Sequence, residues 1–452
     1  MLGHETGIRK GTLPMAPRAA LDRWATLDAR LVRATRRLRL LQAVSWKHAV
    51  QREFLERWRR GVQRLPEPDY VVEDHAEVRG ELRAIAAAAD PDDPLGLYLR
   101  RTAESWHTAA LLLEAAGTAG VTDHSIRLFG RPTDVLPGGA VSSIDAALHF
   151  VRIAGELDAE LRAVDTDDDA VASAVVRERL QADMDGFFGP GKVAVELDPD
   201  LIAKAAAGPT RIRLRTGAAF SEYDIHQLRE HEAFVHTLTA LNGREQPHFA
   251  SLSRTSPRII ATQEGLATFA ELITGHIDIE RMKRISLRIL AIDMALRGAD
   301  FIDVFRFFLD AGQRELESFT SAARIFRGVP VTGGAAFTKD GVYLAGLVRV
   351  HTFFRWCLRQ KKLALTHRLF AGKMTLEDVF DLEPAFDEGA IAPPRYLPPW
   401  ARRANGLAGI LAFSLFANTI RLDKVDIENL DAVPRLFGVE PARAREDGRQ
   451  PV

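Results

Sequence analysis

The chain has 452 residues, 46% hydrophobic and 27% charged, proportions that suit a globular protein and exclude a wholly disordered, collagenous or membrane-bundle chain. Sixty Lys and Arg stand against 61 Asp and Glu, a formal net charge of −1, so there is no global electrostatic pull toward nucleic acid or an anionic membrane. A single cysteine, Cys357, excludes an internal disulfide or a Cys-based zinc site and points to a reducing, cytoplasmic compartment.

Residues 1–18 mix charged residues with Pro14 and Pro17 and read as a disordered N-terminus without a targeting signal. Residues 19–165 read as a helical region. Leu21, Trp24, Leu27, Leu31 and Leu38 follow helical spacing, and Arg33, Arg36, Arg37 and Arg39 between them read as a solvated face. Further helices are expected over 77–89, 97–116 (closed by Gly117) and 142–162. A second region, 170–385, opens with two alternating stretches, 193–197 and 210–216, that read as short strands. Residues 386–437 hold the pairs Pro393-Pro394 and Pro398-Pro399, then an apolar helix. Its longest apolar run, 406–417, falls short of the roughly 20 residues a membrane span needs and reads as a buried helix. The tail, 438–452, is charged and reads as disordered.

The chemistry concentrates in 221–243. Ser221 and Asp224 form a capping pattern, Gly243 offers a stop, and Ile225, Leu228, Val235 and Leu238 make an apolar stripe. This helix carries His231-Glu232-Ala233-Phe234-Val235-His236. Zinc proteases with His-Glu-x-x-His place both imidazoles on one face at i and i+4. At i and i+5 a straight α-helix turns the second ring roughly 140° away, and a π-bulge would restore convergence. Glu232 is then a candidate general base, taking a proton from a metal-activated water. The opposite reading is a buried histidine beside an ordinary helix pair, and spacing alone leaves the two evenly matched. Gln263-Glu264-Gly265-Leu266-Ala267 starts the next helix, with Thr262 a possible cap. Leu266, Phe269 and Ile273 form its apolar face, and Glu264 lies opposite, among small residues that would let this helix approach the first. Glu264 is the candidate third ligand. Glu271, seven residues on and on the same face, could orient a ligand histidine.

The Gln-Glu-Gly-Leu-Ala motif, joined to the His-Glu-x-x-x-His helix, resembles the bacterial QEGLA-motif family, known as flavohaemoglobin expression-modulating proteins. That family is similar to the microtubule-associated tyrosine carboxypeptidases, zinc proteases that remove the C-terminal tyrosine of α-tubulin. The resemblance implies one Zn²⁺ per chain held by His231, His236 and Glu264, with Glu232 as base. Arg324-Ile325-Phe326-Arg327-Gly328 and Phe337-Thr338-Lys339-Asp340 with Tyr343 also look like the family. A carboxypeptidase must recognise a terminal carboxylate, so Arg324, Arg327 and Lys339 are candidate substrate contacts. Arg324 and Arg327, three apart, would share a helix face. Tyr343 is a candidate donor to the oxyanion.

The expected fold is α+β and predominantly α-helical, a helical N-terminal region beside a zincin-like region with a small sheet. The strand over 210–216 is the expected edge where a peptide could add. The expected function is zinc-dependent hydrolysis of a peptide or protein C-terminus, carboxypeptidase-like, with no nucleic-acid or membrane partner. Two alternatives stand beside it: a catalytically silent binding scaffold of the same fold, and a hydrolase of non-peptide amides.

Overall fold

The computed structural model describes residues 18–164, 171–201 and 204–420. The expected disordered ends and the acidic boundary over 165–169 lie outside them, apart from the first helical residue, Arg18. The described residues are mainly helical, with two small sheets. None of the described helices is long and apolar enough to cross a membrane.

Among the described residues seven helices precede the first strand, from Arg18–Ala34 to Ser143–Val164. Pro94–Glu114 is the most buried of them, and its start is fixed locally. Asp93 accepts hydrogen bonds from the N–H groups of Leu95 and Gly96, while Pro94 takes the first helical position, where no N–H is needed. These helices share one hydrophobic core with the rest of the chain. Trp46 and Phe54 pack against Phe301 and Phe319 with ring centroids 5.1–5.8 Å apart. Ser143–Val164 lies along Ile279–Leu296.

Strand β1 (Val171–Ala172) and β5 (Ala219–Phe220) form an antiparallel pair. β2 (Ala194–Asp198), β4 (Arg211–Arg215) and β3 (Ala205–Ala207) form a three-stranded sheet in the order β2-β4-β3. Both expected strands are present, but 210–216 is not an edge. Its strand β4 is hydrogen-bonded on both sides, parallel to β2 and antiparallel to β3. The free edge on the side of the histidine helix belongs to β3, a run of three alanines too short and plain to show strand periodicity in sequence.

Two helices, Ile260–Ile273 and Val342–Arg359, build the other wall. Ile260–Ile273 begins three residues before Gln263, and no side chain caps it, so Thr262 is not its cap. It crosses Val342–Arg359, and Gly265 explains how closely. A Cβ at Gly265 would stand 2.3 Å from the carbonyl carbon of Gly346, and one at Gly346 would stand 2.3 Å from the Ala261 oxygen. The small residues of the Gln-Glu-Gly-Leu-Ala motif therefore admit the Tyr343 helix. Gly243 likewise ends no helix: the helix runs to Arg244, and Gly243 packs against the Leu252 carbonyl, 2.2 Å from where a Cβ would lie.

The apolar helix Ala404–Ala417 buries only Leu407 and Leu411. Phe413 and Phe416 are 72% and 59% exposed, against the expectation of a buried helix. A helix apolar all round gives no sequence clue to which face is covered. One prediction follows from the helix crossing. Gly265→Ala should destabilise the fold by about 2 kcal/mol, read by denaturant unfolding; an unchanged midpoint would mean that the two backbones do not meet there.

Candidate metal centre

The histidine helix is one continuous rod of three parts. Glu222–Leu228 is α-helical and opens with the expected capping box, in which Asp224 N–H donates to Ser221 Oγ and Ser221 N–H donates to Asp224. Arg229–Thr237 is a π-helix, and Leu238–Arg244 returns to α. In a π-helix the backbone bonds run over five residues, so side chains five apart stack as i and i+4 do in an α-helix. His231 and His236 accordingly point the same way, their ring centroids 4.9 Å apart. Glu264 completes the group from Ile260–Ile273. Its Oε2 lies 3.6 Å from Nε2 of both His231 and His236. One donor atom from each residue falls within 4.8 Å of the others, a compact set of two imidazoles and a carboxylate that suits a divalent cation.

The surroundings orient these donors. His231 Nδ1 is 2.6 Å from Glu271 Oε1, which leaves Nε2 facing the cation position. Glu271 is fully buried and is held by Arg281 through two bonds of 3.1 and 3.2 Å and by Gln227 at 2.8 Å. Burial raises the Glu271 pKa, but Arg281 and His231 outweigh it and hold it at about 2. On the other histidine, His236 Nδ1 is 3.5 Å from Gln263 Oε1, which also accepts from Thr239 Oγ1. Burial disfavours charge on His231 too, yet Glu264 and Glu271 raise its pKa to about 10. Glu264 is held well below the usual carboxylate range: Lys339 and the two histidines override its burial. It is thus an anionic donor at neutral pH.

Glu232 is half-buried beside the ligands and accepts a hydrogen bond of 3.1 Å from the Ala207 N–H of β3. Lys339 Nζ donates to Glu264 Oε1 at 2.9 Å and lies 3.2 Å from the Tyr343 hydroxyl. The two are therefore brought to the candidate centre, with Lys339 engaged by Glu264. Arg324 makes a two-pronged pair with Asp340, Nη2 to Oδ1 at 2.8 Å and Nε to Oδ2. Arg327 does not share its helix, which ends at Ile325 with Phe326 as cap; it stands just beyond the end, near the same pair. Beside the site, Glu230 is buried against Arg229, and His226 stacks on His276.

Sequence reasoning missed four participants. Arg281 and Gln227 fix Glu271. Arg288 Nε reaches to 3.7 Å from Asp340 Oδ2. Lys373 is buried within electrostatic reach of Glu264 and Glu232; burial lowers its pKa to about 8, and its Nζ donates to Thr255 Oγ1 at 2.9 Å. No motif marks Arg281, Arg288 or Lys373, which are placed by long-range packing. Gln227, one turn before His231, had a local signal in its helix position.

Two outcomes test this geometry. Glu271→Ala should weaken zinc binding about 10- to 100-fold in a chelator competition; full affinity would show that Glu271 does not orient His231. A cation must also displace the His231 proton to reach its lone pair, so zinc affinity should rise with pH below about 10. Affinity flat between pH 6 and 8 (an interval on the order of the usual assay range) would contradict that protonation.

A family model described as microtubule-associated tyrosine carboxypeptidase matches residues 52–419, a span that holds every site residue named above. Among curated proteins none matches the chain. With the match covering most of its length, the chain belongs to the microtubule-associated tyrosine carboxypeptidase family.

Proposed function

We propose that this protein is a zinc-dependent peptidase of the carboxypeptidase type, with His231, His236 and Glu264 as ligands and Glu232 as general base. The observation that carries the reading is the π-helical segment Arg229–Thr237. It converges two histidines that an α-helix would separate, and it does so where a third donor and a buried Nδ1 partner stand ready. The family's name supports the type of reaction, removal of a residue from a C-terminus. A cation bound by these ligands would polarise a carbonyl and make water acidic enough to deprotonate near neutral pH.

The chain's own groups supply the rest. Glu232, adjacent in sequence to one ligand, takes the proton from the attacking water and passes it to the leaving amine. Its bond to the Ala207 N–H fixes the carboxylate at the cleft edge of β3. Ala207 turns its N–H away from β4, and in an extended strand Ala205 turns the same way. With the Ala207 N–H given to Glu232, the Ala205 N–H and the outward carbonyls are the rail left for an extended peptide. Tyr343, whose hydroxyl accepts from Lys339 next to Glu264, is assigned the role of donor to a developing oxyanion. Arg324, Arg327 and Lys339 all lie within electrostatic reach of Tyr343 or in contact with it, and we assign to them the recognition of a terminal carboxylate.

Glu232→Gln tests the assignment. The variant should keep its zinc and lose turnover of C-terminally free peptides by about 10²- to 10⁴-fold. Unchanged turnover would remove Glu232 as base, and no turnover by the zinc-loaded parent on a broad peptide panel would favour a silent scaffold.

A further inference from the structure

The π-helical turn carries a second pair of side chains five residues apart. By the bonding that stacks His231 on His236, Glu232 and Thr237 stand one above the other on the neighbouring face. Both reach the end of β3. Glu232 accepts from the Ala207 N–H at 3.1 Å, and Thr237 Oγ1 donates to the Gly208 carbonyl at 3.0 Å. Two successive residues of one strand end are thus gripped by two side chains one turn apart. Gly208 opens the turn into β4, where its N–H donates to the Arg211 carbonyl at 2.7 Å.

The Thr237 bond differs from those of other helical threonines in the chain. Thr102, Thr108, Thr239 and Thr268 turn the hydroxyl back onto their own helix, to the carbonyl four residues earlier. Thr237 has the same short reach and is fully buried, yet its hydroxyl leaves the helix for Gly208. Just before β3, Lys204 Nζ pairs with Asp224 Oδ2 at 2.9 Å, but both groups are part exposed and such a pair holds weakly. The deeper attachment of β3 to the histidine helix is therefore the double contact of Ala207 with Glu232 and Gly208 with Thr237. Glu232 takes its orientation from a backbone donor that is only as steady as the strand carrying it.

We propose that Thr237 is a positioning residue for Glu232: its hydroxyl clamps the β3–β4 turn, so that the Ala207 N–H holds the base beside the two histidines. The catalytic consequence rests on the peptidase reading above; the clamp itself is a property of the fold. Without the hydroxyl, the Gly208 carbonyl loses a buried partner and the strand end is released from the helix. A reacting group misplaced by about 1 Å costs on the order of 100-fold in rate.

The test pairs Thr237→Val, which keeps the shape and removes the hydroxyl, with Thr237→Ser, which keeps the hydroxyl. Thr237→Ala replaces the valine variant if that variant does not fold. On C-terminally free peptides the zinc-loaded valine variant should lose about 10- to 100-fold in kcat with KM little changed. Serine should recover most of that loss. Parental kcat in the valine variant, a loss accounted for by lost zinc, or serine no better than valine would overturn the proposal. Amide hydrogen exchange separates it from the peptidase reading. The Ala207 N–H should exchange faster in the valine variant than in the parent, and near the parental rate with serine, whether or not any peptide is cut. Parental exchange in the valine variant would overturn the proposal even if hydrolysis were found. Faster exchange in that variant, with no turnover by the parent, would remove the peptidase reading and support the clamp.

Discussion

The backbone bonding between Arg229 and Thr237 decides what the site can be. Hydrogen bonds over five residues bring His231 and His236 to one side of the helix; over four they would face apart, and Glu264 would have one imidazole to meet. A π-helix is a costly form of backbone, rarely kept without a function. The flanking α-helical segments confine it, the first by the Ser221–Asp224 capping box and the last by Gly243 lying flat on the Leu252 carbonyl.

Around that turn, charge alternates outward in a chain of named contacts. Arg281 holds Glu271, Glu271 orients His231, and His231 faces Glu264. Glu264 turns its other oxygen to Lys339, and Lys339 meets Tyr343. Each charge along this run thus has a partner of opposite sign, as buried charges require. The chain of pairs ends at Arg288, Arg324 and Arg327, where the cations outnumber Asp340. The crossing of Gly265 on Gly346 sets the spacing of this chain, because the first helix carries Glu264 and the second carries Tyr343.

The parts of this site legible in sequence are those whose signals are local. The capping box, the histidine spacing with its need for a wider turn, and the placement of Glu271 on the same face as Glu264 all follow from residues within a helix length of one another. Both sheet strands with alternating apolar residues were legible for the same reason. What stayed hidden depends on which element meets which. The alternation in β4 reads the same whether the strand is central or at an edge, and the Ala205–Ala207 edge carries no pattern. Gly265 is visibly small, but its partner lies 81 positions away in Gly346. Arg288 and Lys373 look like any surface cations until packing buries them. The apolar run of Ala404–Ala417 misleads in the opposite sense, because uniform hydrophobicity does not say which face finds a neighbour.

The central claim is that the π-helical turn exists to seat a metal ion. Its most direct test is the zinc content of the untagged protein by plasma mass spectrometry, with His231→Ala beside it. The account predicts about one zinc per parent chain and little in the variant. A folded parent that takes up no zinc when it is supplied, or equal zinc in both proteins, would contradict it.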